Sequence, residues 1–119
     1  MEETNLVALT ILQQLGGREF LLLTGCTVIP DGNTLRIHLT DNQSGANRMD
    51  ISLNDTDTYD MTLYHYQPHR CRINKTTGQI TAYAEKILVI EQMEGLYYDM
   101  LKDNFERITG LYVSLFPRQ

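Results

Sequence analysis

The residues with the chemistry to bind a metal lie close together in the segment YHYQPHRC, residues 64–71. His65, His69 and Cys71 offer imidazole and thiolate groups, which are ligand types that zinc prefers. Their spacing matches no standard structural zinc motif, and no fourth ligand stands nearby in the sequence. His65 also continues the inward-facing alternation of Met61 and Leu63, which favours a half-buried histidine. We therefore expect no metal and no other cofactor, and keep these three residues only as weak candidates for zinc.

The same part of the chain is basic and aromatic, with no Asp or Glu between residues 61 and 84. Aromatic rings can stack on nucleic-acid bases while cations neutralise phosphates. Three cations are few for this task, however, and the chain as a whole is acidic, so a solvated hairpin is the simpler interpretation. Nucleic-acid binding stays open as the alternative function. Its candidate residues are Tyr64, Tyr66, Arg70, Arg72 and Lys75.

Residues 41–60 concentrate acidic and amide side chains around one short apolar run. Asp55 and Asp57 resemble the beginning of a calcium-binding loop, but its glycine is missing and Tyr66 stands where the final Glu belongs. Turn formation explains these residues better, because Asp and Asn bond to their own backbone and tolerate left-handed conformations. The loop 42–47 is longer than a tight hairpin requires, so we predict a partner-binding surface there. Its candidate residues are Asn42, Ser44, Asn47, Arg48 and Asp50.

Motifs and composition disfavour several classes of function. The sequence contains no phosphate-binding loop, serine-hydrolase elbow, metalloprotease motif or triad-like grouping, which disfavours an enzyme. Its net charge of −5 disfavours a general binder of nucleic acid or anionic membranes. Cys26 and Cys71 are unpaired in any motif, the N-terminal segment has no Lys or Arg before Arg18, and no apolar run is long enough to span a bilayer. We therefore expect a cytoplasmic protein without a membrane segment.

Length and periodicity predict one α+β domain covering residues 1–119. Thr4–Leu15 has helical apolar spacing, with Thr4 or Asn5 as N-cap and Gly16-Gly17 as its end. The apolar run in Glu19–Thr24 fits a strand or a short second helix, and we favour the strand. A second, longer helix is predicted over Gln92–Thr109 and ends at Gly110 in the left-handed conformation. The tail LYVSLF, residues 111–116, is predicted to dock on the core or add a short edge strand.

The middle of the chain predicts an antiparallel meander. Asp31-Gly32-Asn33 is a turn signal, and three alternating runs follow whose inward residues are Leu35, Ile37, Leu39, Met49, Ile51, Leu53, Tyr59, Met61 and Leu63. Lys86–Ile90 adds a further strand, and Thr76-Thr77-Gly78 marks a turn before it. Matching the inward residues predicts the register. The expected inner pairs are Leu53–Tyr59, Ile51–Met61, Met49–Leu63, Leu39–Met49, Ile37–Ile51 and Leu35–Leu53. The expected outer rows are His38–Asp50–Thr62, Arg36–Ser52–Asp60 and Thr40–Arg48–Tyr64.

The chain resembles a family of small uncharacterised proteins from bacteriophages, prophages and other mobile elements. The resemblance covers nearly the whole chain and is carried by TILQQLGG (10–17), LTG (23–25), NTLRIHL (33–39), NQSGANRMDISLN (42–54), DTYDM (57–61) and EGLYYDMLKDNFERITGLYVSL (94–115). The segment 67–84 departs from the family pattern. The resemblance implies an intracellular accessory role in a phage or mobile element, and it brings no catalytic residues.

These observations predict a fold and a function. The expected fold is α+β, with an N-terminal helix, an antiparallel meander of about four to five strands, and a C-terminal helix on one sheet face. The expected function is that of a non-enzymatic accessory protein that binds a host or element protein, of the host-interaction or anti-defence type. The alternative is a nucleic-acid-associated factor using residues 64–75. The oligomeric state is left open, with a homodimer among the possibilities.

Overall fold

The computed structural model describes residues 6–111, and within them the predicted α+β architecture is confirmed. The helices are α1 (Leu6–Leu15), α2 (Arg18–Thr24) and α3 (Leu101–Thr109), with a single 3₁₀ turn at Tyr98–Met100. The strands are β1 (Thr27–Asp31), β2 (Thr34–His38), β3 (Arg48–Leu53), β4 (Tyr59–Gln67), β5 (Arg70–Ile73), β6 (Ile80–Tyr83) and β7 (Lys86–Leu96). The predicted N-cap of α1, at Thr4 or Asn5, and the tail from Tyr112 onward lie outside the described residues.

Five strands form the main sheet in the order β1-β2-β3-β4-β7, and every neighbouring pair is antiparallel. The predicted alternation is confirmed, because its inward residues are buried or half-buried and form the core with the helices. We call this the inner face and the opposite side the outer face. α1 buries Ala8, Ile11 and Leu15 in this core, and α3 buries Leu101 and Phe105 there. On the outer face, the three central strands β2, β3 and β4 carry polar and aromatic side chains.

The register is predicted correctly on one side of β3 and wrongly on the other. Leu53 lies opposite Tyr59, and the two following pairs toward Leu63 are also as predicted. Between β2 and β3, however, Ile37 lies opposite Met49 instead of Ile51, a shift of two residues. A shift of two keeps every apolar residue on the same face, so alternation cannot distinguish the two registers. The loop decides, because the Leu39 amide donates to the carbonyl of Asn47 at 3.0 Å and closes the hairpin there.

The predicted strand at Glu19–Thr24 is wrong, since these residues lie in helix α2. Gly16 and Gly17 have φ values of 127° and 60°, which lets the chain turn sharply after α1 and start a second helix. Phe20 and Thr24 are buried four residues apart, while Leu22 and Leu23 are exposed. The apolar run therefore has one buried stripe of helical spacing. The Thr24 hydroxyl donates to the carbonyl of Phe20, and Gly25 ends the helix in the left-handed conformation.

The predicted C-terminal helix is wrong in its first half and right at its end. The structure continues β7 to Leu96, and α3 begins only at Leu101. Met93 lies opposite Met61 and Leu96 opposite Tyr59, so β7 carries one extra residue between these pairs. This irregularity falls at Gly95, which has φ of 69°. Because of the extra residue, the inward-facing Met93 and Leu96 are three positions apart, which is a spacing typical of a helix. Gly110 takes the left-handed conformation as predicted, with φ of 75°.

The turns at residues 31–33 and 76–78 lie where the sequence predicts them, and the basic segment forms the expected hairpin. The signal at residues 31–33 joins β1 to β2, whose ends pair as Asp31 with Thr34. The Thr76-Thr77-Gly78 signal lies between β5 and β6, which form a separate two-stranded sheet that we call the arm. Of residues 6–111, no single helix has the length and apolar character of a membrane span. The two N-terminal helices meet that criterion only as a pair, which is bent by 61°.

Candidate binding groove on the outer face

The shifted register changes which polar side chains stand together on the outer face. The rows observed across the first four strands are Thr27–His38–Arg48–Tyr64, Ile29–Arg36–Asp50–Thr62 and Asp31–Thr34–Ser52–Asp60. The predicted partners on β4 are correct, but the predicted partners on β2 are each displaced by two residues. As a result Arg36 lies opposite Asp50 instead of Ser52, and His38 lies opposite Arg48. Arg36 thereby joins Arg48, which lies two residues from Asp50 on β3, beside the Asp50 carboxylate.

A groove of about 590 Å³ crosses this face from one edge of the sheet to the other. Ile29 lines it at the β1 edge, Ile87 lines it at the β7 edge, and Arg36, Arg48, Tyr64 and Tyr66 line its middle. Its floor is therefore aromatic and its walls carry charge. Pockets with apolar or aromatic surface and a few placed polar groups are the usual form of binding sites. We take this groove as the candidate site.

Asp50 and Tyr64 form a hydrogen-bonded pair beside the groove, and the pKa of each is raised above its ordinary value. The Tyr64 hydroxyl lies 3.2 Å from each carboxylate oxygen of Asp50 and donates to them. Burial raises the pKa of the Asp50 carboxyl above its ordinary value of 3.8, while the Tyr64 hydrogen bond and the Arg36 and Arg48 charges oppose the rise. Burial, followed by the charge of Asp50, raises the pKa of Tyr64 above 10.0. The tyrosine therefore acts as a hydrogen-bond donor at neutral pH.

The raised pKa of Asp50 predicts a specific pH dependence of stability. The fold favours the protonated carboxyl of Asp50. This preference stabilises the folded state fully below pH 3.8, the ordinary pKa of the group, and the stabilisation is lost as the pH rises through the folded-state pKa. Asp50→Asn is expected to remove that loss, so its free energy of unfolding relative to wild type should rise from acid to neutral pH. Urea denaturation across this range measures the difference. Asp55→Asn, in an exposed turn, is the control, and a pH-independent difference for Asp50→Asn would contradict the assignment.

Arg48 and Tyr66 form the second contact within the groove. The Arg48 guanidinium lies over the Tyr66 ring, 5.4 Å from its centre, and its Nη1 donates to the carbonyl of Asn47. A hydrogen bond with Glu85 is the main cause that raises the pKa of the Tyr66 hydroxyl. The cation and the ring are thus already oriented, which lowers the entropic cost when a ligand packs against them.

The structure divides the five residues of the predicted partner-binding surface. Arg48 lines the groove and Asp50 lies beside it, whereas Asn42 and Ser44 use their side chains to fold their own loop. The side-chain nitrogen of Asn42 donates to the carbonyls of Thr40 and Ala46. The side-chain oxygen of Asn42 accepts from the backbone amide and from the hydroxyl of Ser44. These loop side chains are therefore engaged in internal hydrogen bonds.

Asn47 extends the β3–β4 ladder past the last pair of backbone partners. Its side-chain oxygen accepts from the Tyr66 amide at 2.7 Å, and its side-chain nitrogen donates to the Tyr66 carbonyl at 2.9 Å. Both functions of the amide are thus used to hold Tyr66 in position. Asn47 therefore orients a groove residue.

The residues of the nucleic-acid alternative are also divided. Tyr64 and Tyr66 lie in β4 on the outer face, whereas Arg70 and Arg72 lie in β5 of the arm and Lys75 in its turn. The Arg70 guanidinium lies over the ring of Tyr83 at 5.5 Å, and these two residues line a smaller groove on the arm. The tyrosines and the cations that the sequence placed together thus belong to two different sheets.

The weak metal candidates do not converge. His65 is exposed instead of half-buried as predicted: it faces the inner side by register, but it lies beyond the core, with its Nδ1 3.3 Å from the Gly45 carbonyl oxygen. His69 and Cys71 are exposed at the beginning of the arm. Within residues 6–111, no group of three or more His, Cys, Asp or Glu side chains is placed to hold a metal ion.

In the turn that contains Asp55 and Asp57, the side-chain oxygen of Asn54 accepts from the backbone amides of Thr56 and Thr58, as turn chemistry predicts.

The groove thus joins residues that the sequence assigned to separate hypotheses, and it adds others. Arg48, with Asp50 beside the groove, comes from one candidate set, and Tyr64 and Tyr66 come from the other. Ile29, Arg36 and Ile87 were not among the candidates, because their place depends on the β2–β3 register and on β1 and β7 forming opposite edges. A comparison with protein-family models, curated proteins and solved structures finds no match to this chain.

Proposed function

We propose that this chain is a non-enzymatic binding protein of a bacteriophage or mobile element, and that its groove holds a segment of a host or element protein. The proposal is supported by the family resemblance of the sequence and by the chemistry of the outer face. The observation that carries it is the groove itself, whose two tyrosines and two arginines stand together with balanced charge.

The residue types in the groove are those that dominate protein interfaces. Tyrosine and arginine are strongly enriched among the residues that contribute most to binding between proteins. The Tyr64 hydroxyl is held by Asp50, the backbone of Tyr66 is held by Asn47, and the Tyr66 ring is covered by Arg48. These contacts limit the rotamers of both rings before any ligand arrives. A partner segment therefore loses less affinity to the ordering of the site.

The balance of charge distinguishes a protein ligand from a nucleic acid. Arg36 and Arg48 line the groove together with Asp31 and Glu85. Arg36 already pairs with Asp31 at 3.5 Å, and Asp50 adds a further carboxylate beside both arginines. Binding to a phosphate backbone depends on a local excess of cations, which this groove lacks. A peptide segment with apolar side chains and a polar backbone fits these walls better.

A site-specific photo-crosslink tests the proposal. A photoreactive benzoylphenylalanine at position 66 is expected to form one discrete adduct with a protein from bacterial lysate. The same group at position 98 is the matched control, since Tyr98 is 63% exposed and lies on the 3₁₀ turn. Once that protein is purified, Arg48→Ala should weaken its affinity by about tenfold or more, as expected for a buried anchor residue. Equal adducts from both positions would contradict a groove-specific partner.

The alternative function is nucleic-acid binding by the arm. It is favoured by one observation, the stacking of Arg70 on Tyr83 in a segment that contains Arg72 and Lys75 and no acid. Fluorescence-anisotropy titration with single- and double-stranded DNA and RNA at low salt measures it. Binding that weakens steeply with salt and is abolished by Arg70→Glu with Arg72→Glu would support this function. Absence of binding at low salt would remove it.

A further inference from the structure

Strand β7 leaves an apolar segment uncovered at the edge of the sheet. Ile87, Leu88 and Val89 are 61%, 66% and 53% exposed. Among the described strands, β4 alone pairs with β7 in the five-stranded sheet, so the opposite edge of β7 is open. Long exposed edges with apolar side chains are templates for pairing with a further strand. The free edge of β7 therefore combines exposed apolar side chains with backbone groups that no other strand of the described chain pairs.

The same segment lies on a two-stranded ribbon that extends past the core. The β3–β4 pairing stops at Arg48 and Tyr64, while β4 and β7 remain paired as far as Gln67 and Lys86. Leu88 consequently faces the inner side beyond the core, and it is the most exposed of the large apolar side chains of β7. Two-stranded ribbons are at best marginally stable in water. A further strand beside β7 would give this ribbon the support that it lacks.

We propose that the free edge of β7 pairs with the same edge of a second copy of this chain. The two strands run antiparallel about a twofold axis that passes beside Leu88, so that Leu88 lies opposite Leu88 of the second copy. Ile87 then lies opposite Val89 of the second copy. The two five-stranded sheets become one continuous sheet.

The side chains on β7 have the face pattern that this pairing requires. Opposed residues of a sheet share a face, and Ile87 and Val89 share the outer face with Tyr66 and Tyr64. Lys86 and Leu88 take the inner face. Between Val89 and Glu91 the register with β4 shifts by one residue, so that Glu91 lies opposite Leu63 and also faces inward. Without this irregularity, Glu91 would point to the outer face, away from Lys86.

The charges at the ends of the apolar segment are complementary under the twofold axis. With Leu88 opposite itself, Lys86 lies opposite Ile90 of the second copy, and Glu91 follows at the irregularity on the same face. Lys86 can therefore approach Glu91 of the second copy, and the axis repeats this pair at the other end. Glu91 also lies 4.0 Å from Arg107 of its own chain, at the limit of an ion pair. The apolar residues are thus flanked by two attractive contacts.

The other edge of the sheet explains why association stops at two copies. Strand β1 carries Pro30, which has no amide hydrogen to donate, and it ends at Asp31. Proline and charge on an edge strand prevent a neighbouring strand from pairing there. The sheet therefore has one blocked edge and one open edge. Pairing of the open edges consumes both of them and leaves no site for further addition.

A charge-reversal experiment with complementary variants tests this interface. Analytical ultracentrifugation of the wild-type chain is expected to show a dimer. Lys86→Glu and Glu91→Lys, each alone, place like charges together twice and should weaken the dimer by about tenfold or more. An equimolar mixture of the two variants restores opposite charges at both ends and should recover a heterodimer. Leu22→Asp, at a residue that is 70% exposed on α2, is the control and should leave the dimer intact.

A cross-link independent of charge defines the register. In a Cys71→Ser background, which leaves only the buried Cys26, Leu88→Cys should be joined to itself by a short bis-maleimide. Leu22→Cys should not be joined under the same conditions. A wild-type chain that stays monomeric at high concentration would overturn the proposal. A dimer that is indifferent to both charge reversals and yields no cross-link at position 88 would overturn it equally, since its interface would lie elsewhere.

Discussion

Replacing Phe105 with Ala is expected to lower the free energy of unfolding by about 3–5 kcal/mol, which is the usual cost of truncating a buried phenylalanine. Phe105 of α3 is fully buried, and its ring meets that of Phe20 edge to face with 5.0 Å between centres. The contact connects the last helix to the second one within the core. Its loss removes apolar burial and leaves a cavity that surrounding side chains fill only in part.

Urea denaturation followed by circular dichroism at one fixed protein concentration measures this loss. The fixed concentration matters, because association of two copies would add to the apparent stability. Leu22→Ala removes a similar apolar side chain from an exposed position and should change stability by no more than about 0.5 kcal/mol. A Phe105 variant as stable as the Leu22 variant would mean that α3 does not belong to the core.

Gly110→Ala is expected to cost about 2 kcal/mol, from a left-handed backbone and from displaced hydrogen bonds. Gly110 ends α3 with φ of 75°, which disfavours any residue with a Cβ. A Cβ at this position would lie 2.8 Å from Oε1 of Gln43, so the glutamine must move. Its Nε2 now donates to the carbonyls of Arg107 and Ile108 at the end of the helix. Moving it leaves those carbonyls without this donor.

A double-mutant cycle separates the two causes. In a Gln43→Ala background the displaced hydrogen bonds are already absent, so Gly110→Ala should cost only about 1 kcal/mol, the backbone contribution. Thermal or urea unfolding of the four proteins gives the coupling between the two positions. Equal costs in both backgrounds would show that the loop and the helix end are not energetically connected.

Local features of the fold can be predicted well from the sequence. Predictions of strand register and of element boundaries fail where loop contacts or strand irregularities determine them. The β3–β4 register follows from alternation and a short turn, and it is correct. The β2–β3 register depends on the loop 39–47, whose hydrogen bonds cannot be inferred from the alternation of apolar residues. The helix predicted from Gln92 fails for a similar reason, since Gly95 introduces an irregularity that gives a strand the apolar spacing of a helix. The register error thus comes from the loop's hydrogen bonds, and the helix error comes from one residue that changes the relation between apolar spacing and face.

The candidate site shows the same limit. The sequence named Arg48, Asp50, Tyr64 and Tyr66, but under two different hypotheses. Their common location is a consequence of strand pairing, because Arg48 lies directly opposite Tyr64 and the ring of Tyr66 lies under its guanidinium. The two ends of the groove come from β1 and β7, which are far apart in sequence. Only the strand order of the whole sheet places them around the same space.

The position of the arm has a consequence for how quickly the chain folds. Strands β4 and β7 are separated by the arm, and their first pair, Gln67 with Lys86, adjoins it directly. Joining these strands across an unstructured segment would require closing a long loop, at an entropic cost that grows with its length. Once β5 and β6 have formed their own hairpin, the two ends are already close. The pairing of β4 with β7 can then proceed from Gln67 toward Tyr59 in small steps, which converts a distant contact into a succession of near ones.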